Sequence, residues 1–149
     1  MAFTFKLQAL LKHRGFMLRE AQVALGAAEQ LKMEIESRIE AMKGNIEARH
    51  GDFENEQCRG ILVDQYLDFK HYLFVLERQL SELETEFVNA SVQAEEQRAR
   101  VIEKDVSVKL VENLKRRAAE AHAIAQSRKE NKKSDEIAIV KEFRKRNAL

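Results

Sequence analysis

The sequence predicts an all-α fold, a long antiparallel two-helix coiled coil (a helical hairpin) with a longer C-terminal helix. Three observations carry this expectation. The 149 residues include no Pro, no Trp and five Gly, and are rich in Ala, Leu, Glu, Lys and Arg, the mixture found in long helices and coiled coils. Two long stretches repeat apolar residues at spacings that alternate between four and three. Helix breakers gather at only one place, between those stretches.

The first helix is expected over residues 5–48. One heptad series runs Leu7, Arg14, Ala21, Ala28, Ile35, Met42, and the interleaved one Leu11, Leu18, Leu25, Lys32, Ile39, Ile46. Only Arg14 and Lys32 interrupt this seam. Thr4 is placed to cap its start through the side-chain hydroxyl, and at about 1.5 Å per residue the segment spans on the order of 65 Å. Gly44, Gly51 and Gly60 with Asn45, Asp52 and Asn55 then predict a turn over residues 49–60.

A second helix is expected over residues 61–146. Its seam runs Leu62, Tyr66, Phe69, Leu73, Leu76, Leu80, Leu83, Phe87, Ala90, Ala94, Gln97, Val101, Lys104, Val108, Val111, Lys115, Ala118, His122, Ala125. From Val106 onward, Leu110, Leu114, Ala121 and Ile124 form a competing stripe, the pattern of a stutter. Folding about the turn sets Ile46 opposite Leu62 and Leu7 near Val101, so that residues from about 105 overhang. The sequence Asn131 to Glu136 offers an interruption near 131–135, with Ser134 or Asp135 capping a last short helix. The whole, 1–149, reads as one elongated coiled-coil domain.

Formal net charge is +1, but its distribution is uneven. Residues 1–20 carry net +3, residues 21–105 net −8 and residues 106–149 net +6. A hairpin brings the two basic pieces to one end and leaves the arm acidic. The single Cys58 excludes an internal disulfide framework. The first twenty residues have no signal-peptide core, and no run reaches the roughly 18 apolar residues that span a bilayer. A soluble cytoplasmic protein is therefore expected, and Asn89-Ala90-Ser91 is an incidental glycosylation triplet.

Little in the sequence supports catalysis. It has no glycine-rich phosphate loop, nucleophile elbow or HExxH, and a two-helix rod offers no enclosed pocket. His50, Asp52, Glu54, Glu56 and Cys58 fall within nine residues, yet match no zinc or calcium spacing. They read either as a solvated acidic turn or as a metal site. No cofactor is expected.

The basic clusters are Lys115, Arg116, Arg117; Arg128, Lys129, Lys132, Lys133; and Lys141, Arg144, Lys145, Arg146. They read as a solvated face or as contacts to an anionic partner. Interspersed acidic residues, which would repel the phosphates of nucleic acid or lipid, and the lone nearby Phe143 favour an acidic protein socket. Residues 61–80 carry Ile61, Val63, Leu67, Tyr72, Phe74 and Val75 beyond the seam, which predicts either a docking patch or a capped hairpin tip.

Phe3-Thr4-Phe5-Lys6-Leu7 with Leu10, Leu11 and Arg14, the aromatics Tyr66, Phe69 and Tyr72 leading into Leu73, Leu76 and Leu80, and Lys133-Ser134-Asp135-Glu136-Ile137-Ala138 resemble the FliJ family of the flagellar type III protein-export apparatus. The resemblance spans nearly the whole chain. It implies a non-catalytic, stalk-like coiled coil that enters the export ATPase hexamer and promotes ring assembly. It also implies contact with the cytoplasmic domain of the export-gate membrane protein, and association with other export chaperones. The expected place is the cytoplasmic face of the inner membrane at the flagellar base.

Carried over position by position, the family's gate-contacting residues fall on Tyr72, Leu76, Gln79 and Leu83. Leu76 and Leu83 are also seam positions, whereas Gln79 and Leu83 depart from the family's usual pattern. By analogy with rotary stalks, Arg14, Arg19, Lys115, Arg116 and Arg117 would face the ATPase ring. The alternative is a homodimerising coiled-coil scaffold with a basic tail for anionic membrane or nucleic acid. An elongated monomer in sedimentation favours the first reading and an obligate dimer the second.

Overall fold

The computed structural model describes residues 2–148. Two helices, α1 (Gln8–Arg59) and α2 (Val63–Asn147), fold back on each other as an all-α antiparallel hairpin whose second helix is the longer. The chain divides into two compact units: Arg19–Glu103, which contains the turn, and Met1–Leu18 with Lys104–Leu149.

The turn is shorter and later than the breakers suggest. α1 continues through residues 49–59, and only Gly60, Ile61 and Leu62 lie between the helices. Gly44 and Gly51 sit inside α1 with open space where a Cβ would stand. A solvent-facing glycine costs a helix only about 1 kcal/mol. Packing of Phe53, the heptad successor of Ile46, outweighs that cost: its ring stacks on Phe69 with centroids 3.8 Å apart and planes at 3°. Burying an aromatic ring is worth several times the penalty of one glycine.

Gly60 alone reverses the chain, at φ 88°, a conformation that side chains with a Cβ rarely adopt. Its amide closes α1 on the Gln57 carbonyl at 3.1 Å. The Leu62 amide donates to Gln65 Oε1 at 3.3 Å, one half of a capping box at the start of α2.

At the other end, residues 2–5 are irregular and α1 begins at Gln8, whose amide donates to the Phe5 carbonyl. Thr4 therefore does not cap it. α2 runs without a break through residues 131–135, so neither Ser134 nor Asp135 starts a new helix. With no Pro there, polar residues alone do not interrupt a helix.

The seams are buried where periodicity places them except at their ends, where Leu7, Leu62, Tyr66 and Ala125 are exposed. Every first-seam position from Leu11 to Ile46, and every second-seam position from Phe69 to His122, is buried or half-buried. In the turn-containing unit, Ile35, Ile39 and Ala90 form a cluster packed by Leu80, Leu83 and Phe87. The competing stripe of Leu110, Leu114 and Ile124 is exposed, so the packing contains no stutter.

Four of the six polar seam positions have partners of their own. Lys32 places its ammonium 5.7 Å from the Phe87 ring centroid. Arg14 donates to the Ser107 carbonyl at 3.0 Å, Lys115 donates to Gln8 Oε1 at 3.0 Å, and His122 lies 5.5 Å from the Phe3 ring. Gln8 thus meets Lys115, two heptads beyond Val101, the neighbour expected for Leu7. Moving the turn one heptad along the chain displaces the pairing by two, which preserves the seam while exchanging the partners. Helix pairing consequently reaches Lys115 rather than ending near residue 105, and the irregular segment before α1 packs on α2 as far as His122.

Gln97 is one of the two exceptions. Its Oε1 is buried without a hydrogen-bond partner among the described residues. Gln97→Leu is expected to stabilise the protein by about 1 kcal/mol, read as a rise of roughly 2–4 °C in thermal midpoint. A lower midpoint would show that the amide is satisfied.

Candidate functional site

In the turn-containing unit, α1 and α2 bring aromatic side chains from both sides of Gly60 together. Phe53 stacks on Phe69 and lies 5.6 Å from Tyr66, while His50 meets Phe69 edge-on at 6.3 Å. Arg49 covers the Tyr72 ring at 5.7 Å, and Lys70 covers Tyr66 at 5.6 Å. A shallow groove of about 390 Å³ runs beside them, lined by Arg49, Asp52, Phe53, Glu56, Phe69 and Tyr72.

Around this internally packed knot the surface is apolar. Val63, Leu67 and Phe74 are 73%, 57% and 63% exposed. Leu67 and Phe74 lie seven residues apart on one stripe of α2, turned away from the seam. The extra apolar residues of 61–80 therefore remain largely uncovered within the chain, apart from half-buried Ile61.

Tyr72, Leu76, Gln79 and Leu83, spaced four, three and four, share one face of α2. That face straddles the seam. Leu76 is buried and Leu83 packs against Ile35, Ile39 and Ala90, whereas Tyr72 and Gln79 remain open at the edge. Val75 completes the open edge, one turn from both. Arg49 belongs to the same surface through its contact with Tyr72. Sequence reasoning missed it because residue 49 fell in the expected turn.

The other unit contains sixteen basic and seven acidic residues, net +9, against ten and eighteen, net −8, for Arg19–Glu103. The boundary between the units is thus also a boundary of charge. Arg14 and Lys115 are half-buried in the seam and committed to Ser107 and Gln8, while Arg116 and Arg117 are exposed. Arg19, also exposed, belongs to the acidic unit. Asp105 accepts from Lys109 at 2.8 Å and raises the ammonium's pKa, holding that side chain cationic. In the acidic unit, Arg98 joins the helices through Glu29 at 3.0 Å and also contacts Glu95. Exposure keeps the pair's energetic weight small, and its geometry serves the alignment of the helices.

His50, Asp52, Glu54, Glu56 and Cys58 lie on α1 rather than in a turn, and successive members project around the helix. No group of three metal-ligating side chains is gathered among the described residues. Nor is any helix of the described residues long and apolar enough to cross a membrane.

What the arrangement can do is bind, through an aromatic and aliphatic surface on one unit and a cationic surface on the other. No curated protein and no solved structure matches the chain. A family model described as the flagellar FliJ protein matches residues 3–147, nearly the full length of this hairpin, and the chain belongs to the FliJ family.

Proposed function

We propose that the chain is a non-catalytic, stalk-like component of the flagellar protein-export apparatus. It engages the export ATPase hexamer through its basic unit and the cytoplasmic domain of the export gate through its acidic, turn-containing unit. The observation that carries this reading is the coincidence of the +9 and −8 charges with the two units, which supplies two chemically different surfaces on one pair of helices.

Arg116 and Arg117 offer free cations to an acidic socket, with Arg14 and Lys115 fixing the helix pair that presents them. Arg19 adds a cation on α1. For the gate, the open edge of Tyr72, Val75 and Gln79 makes the contact. Leu76 and Leu83 shape that edge from beneath by holding α2 on α1. Association with other export chaperones and a peripheral position at the cytoplasmic face of the inner membrane belong to the same reading.

Adding the purified chain to its cognate export ATPase at low salt should bind the enzyme and raise its hydrolysis rate. An unchanged rate together with no binding would overturn the ATPase contact. Immobilised gate cytoplasmic domain tests the second contact separately.

A further inference from the structure

α2 is unbroken from Val63 to Asn147, and the side it turns away from the seam has a pattern of its own. At 100° per residue, Val88, Val92, Ala99, Val106 and Leu110 fall within a strip of about 40° along the helix. All five are exposed, the four larger ones by more than half. Followed outward in both directions, the strip next carries Ser81 and Arg117, then Phe74 and Ile124, again all exposed. No other residue between 74 and 124 lies in it, so apolar side chains occupy all of the strip except the Ser81 and Arg117 positions. Leu110 and Ile124 belong to the stripe that packing within the chain leaves uncovered.

The strip reads alike from either end. Reversed about Ala99, Val92 falls on Val106, Val88 on Leu110, Ser81 on Arg117 and Phe74 on Ile124, so that apolar meets apolar and hydroxyl meets guanidinium. Charge has the opposite symmetry. Residues 74–98 hold six acidic and two basic residues, net −4, and residues 100–124 hold four acidic and six basic, net +2. An antiparallel pairing of two such helices sets each acidic half on a basic half, whereas a parallel pairing sets acidic on acidic.

We propose that two copies of the chain associate reversibly through this strip, α2 against α2 and antiparallel, about a two-fold axis at Ala99. An isologous contact needs a surface complementary to itself, and the strip meets that condition both in apolar pattern and in charge. The small Ala99 side chains let the two helices approach most closely at the axis. Glu95 and Glu103 stand just outside the strip beside that point, and their repulsion across the contact keeps the dimer reversible. A helix of a different protein would require no such internal symmetry. On the proposed function above, the dimer covers Arg117 and so excludes the ATPase contact on the same chain, but the dimer itself does not depend on that reading.

Sedimentation of the full-length protein between about 1 µM and 1 mM should show the mass rise from monomer to dimer. Val92→Glu should weaken the dimer by about tenfold or more, and so should Val106→Lys, since each sets a charge against an apolar residue of the other copy on both sides of the axis. An equimolar mixture of the two variants should recover association. There the introduced carboxylate faces the introduced ammonium across one half of the contact, and Val106 faces Val92 across the other. At low concentration both variants should match wild type in helicity, because both positions are exposed. A mass that stays monomeric over the whole range, a dimer indifferent to Val92→Glu, or a mixture that associates no better than its components would each overturn the proposal. Neither the ATPase nor the gate is present in these assays, so failure of the dimer and failure of the proposed function are read separately.

Discussion

Ile39→Asp is expected to destabilise the hairpin by about 3–5 kcal/mol, a large fraction of the roughly 5–15 kcal/mol that keeps a domain folded. Ile39 is 8% exposed and packs with Ile35 and Ala90 beneath Leu83, where a carboxylate would be stripped of water among apolar side chains. The neighbouring Glu40→Ala, on the exposed side of the same turn, should change stability by less than about 0.5 kcal/mol. Urea or thermal unfolding followed by circular dichroism distinguishes the two variants.

The defect should depend on pH with a definite sign. Desolvation raises the introduced carboxyl's folded-state pKa above its unfolded value of about 3.9. Between those two values the folded state holds the additional proton, so stability relative to wild type falls as pH rises. Below pH 4 the penalty should shrink toward that of burying a neutral polar group. A defect that is flat with pH, or no defect, would show that Ile39 does not sit in a dry seam.

Arg116→Glu with Arg117→Glu is expected to weaken ATPase binding at low salt by about tenfold or more, chiefly through a slower association rate. Both side chains are exposed, and the double reversal takes the basic unit from net +9 to net +5. Lys115 is left in place, so its bond to Gln8 and the helix pairing survive. Helicity and thermal midpoint should match wild type, because exposed substitutions away from packed contacts cost little. Arg38→Glu, an exposed reversal in the acidic unit, should leave ATPase binding unchanged. Equal stimulation by the double variant would move the site off this face, and wild-type binding should weaken as added salt shortens the Debye length.

The helices and their buried faces were legible because a heptad pattern fixes which side of each helix is dry. Ala21, Ile35, Ile39, Leu73, Leu76, Ala90, Ala94, Val108 and Val111 all occupy expected seam positions. The turn was not legible. Gly44 and Gly51 have the composition of breakers but only a small helix penalty, whereas Phe53, about two turns beyond Asn45, supplies the packing that carries α1 onward. Phe53 was the available signal, since it continues the series that ends at Ile46.

Part of the candidate site was legible for a similar reason. Spacing alone puts Tyr72, Leu76, Gln79 and Leu83 on one face, and seam membership separates the buried pair from the open pair. The Arg49 contact to Tyr72 was hidden, because it depends on which residues of α1 face which residues of α2. A periodic seam leaves that pairing undetermined.

The same degeneracy bears on how the chain finds its fold. A hairpin slipped by whole heptads still buries leucine against leucine, so misaligned pairings are competing minima and the natural kinetic traps of this topology. The polar side chains inside the seam penalise them. A slip would take Arg14 from the Ser107 carbonyl, Lys115 from Gln8 and Lys32 from the Phe87 ring, leaving charges in a largely apolar groove without their matched acceptors. These residues give up binding strength in the correct alignment to widen the gap that makes it unique, and Gly60 lets the chain reverse where that alignment begins.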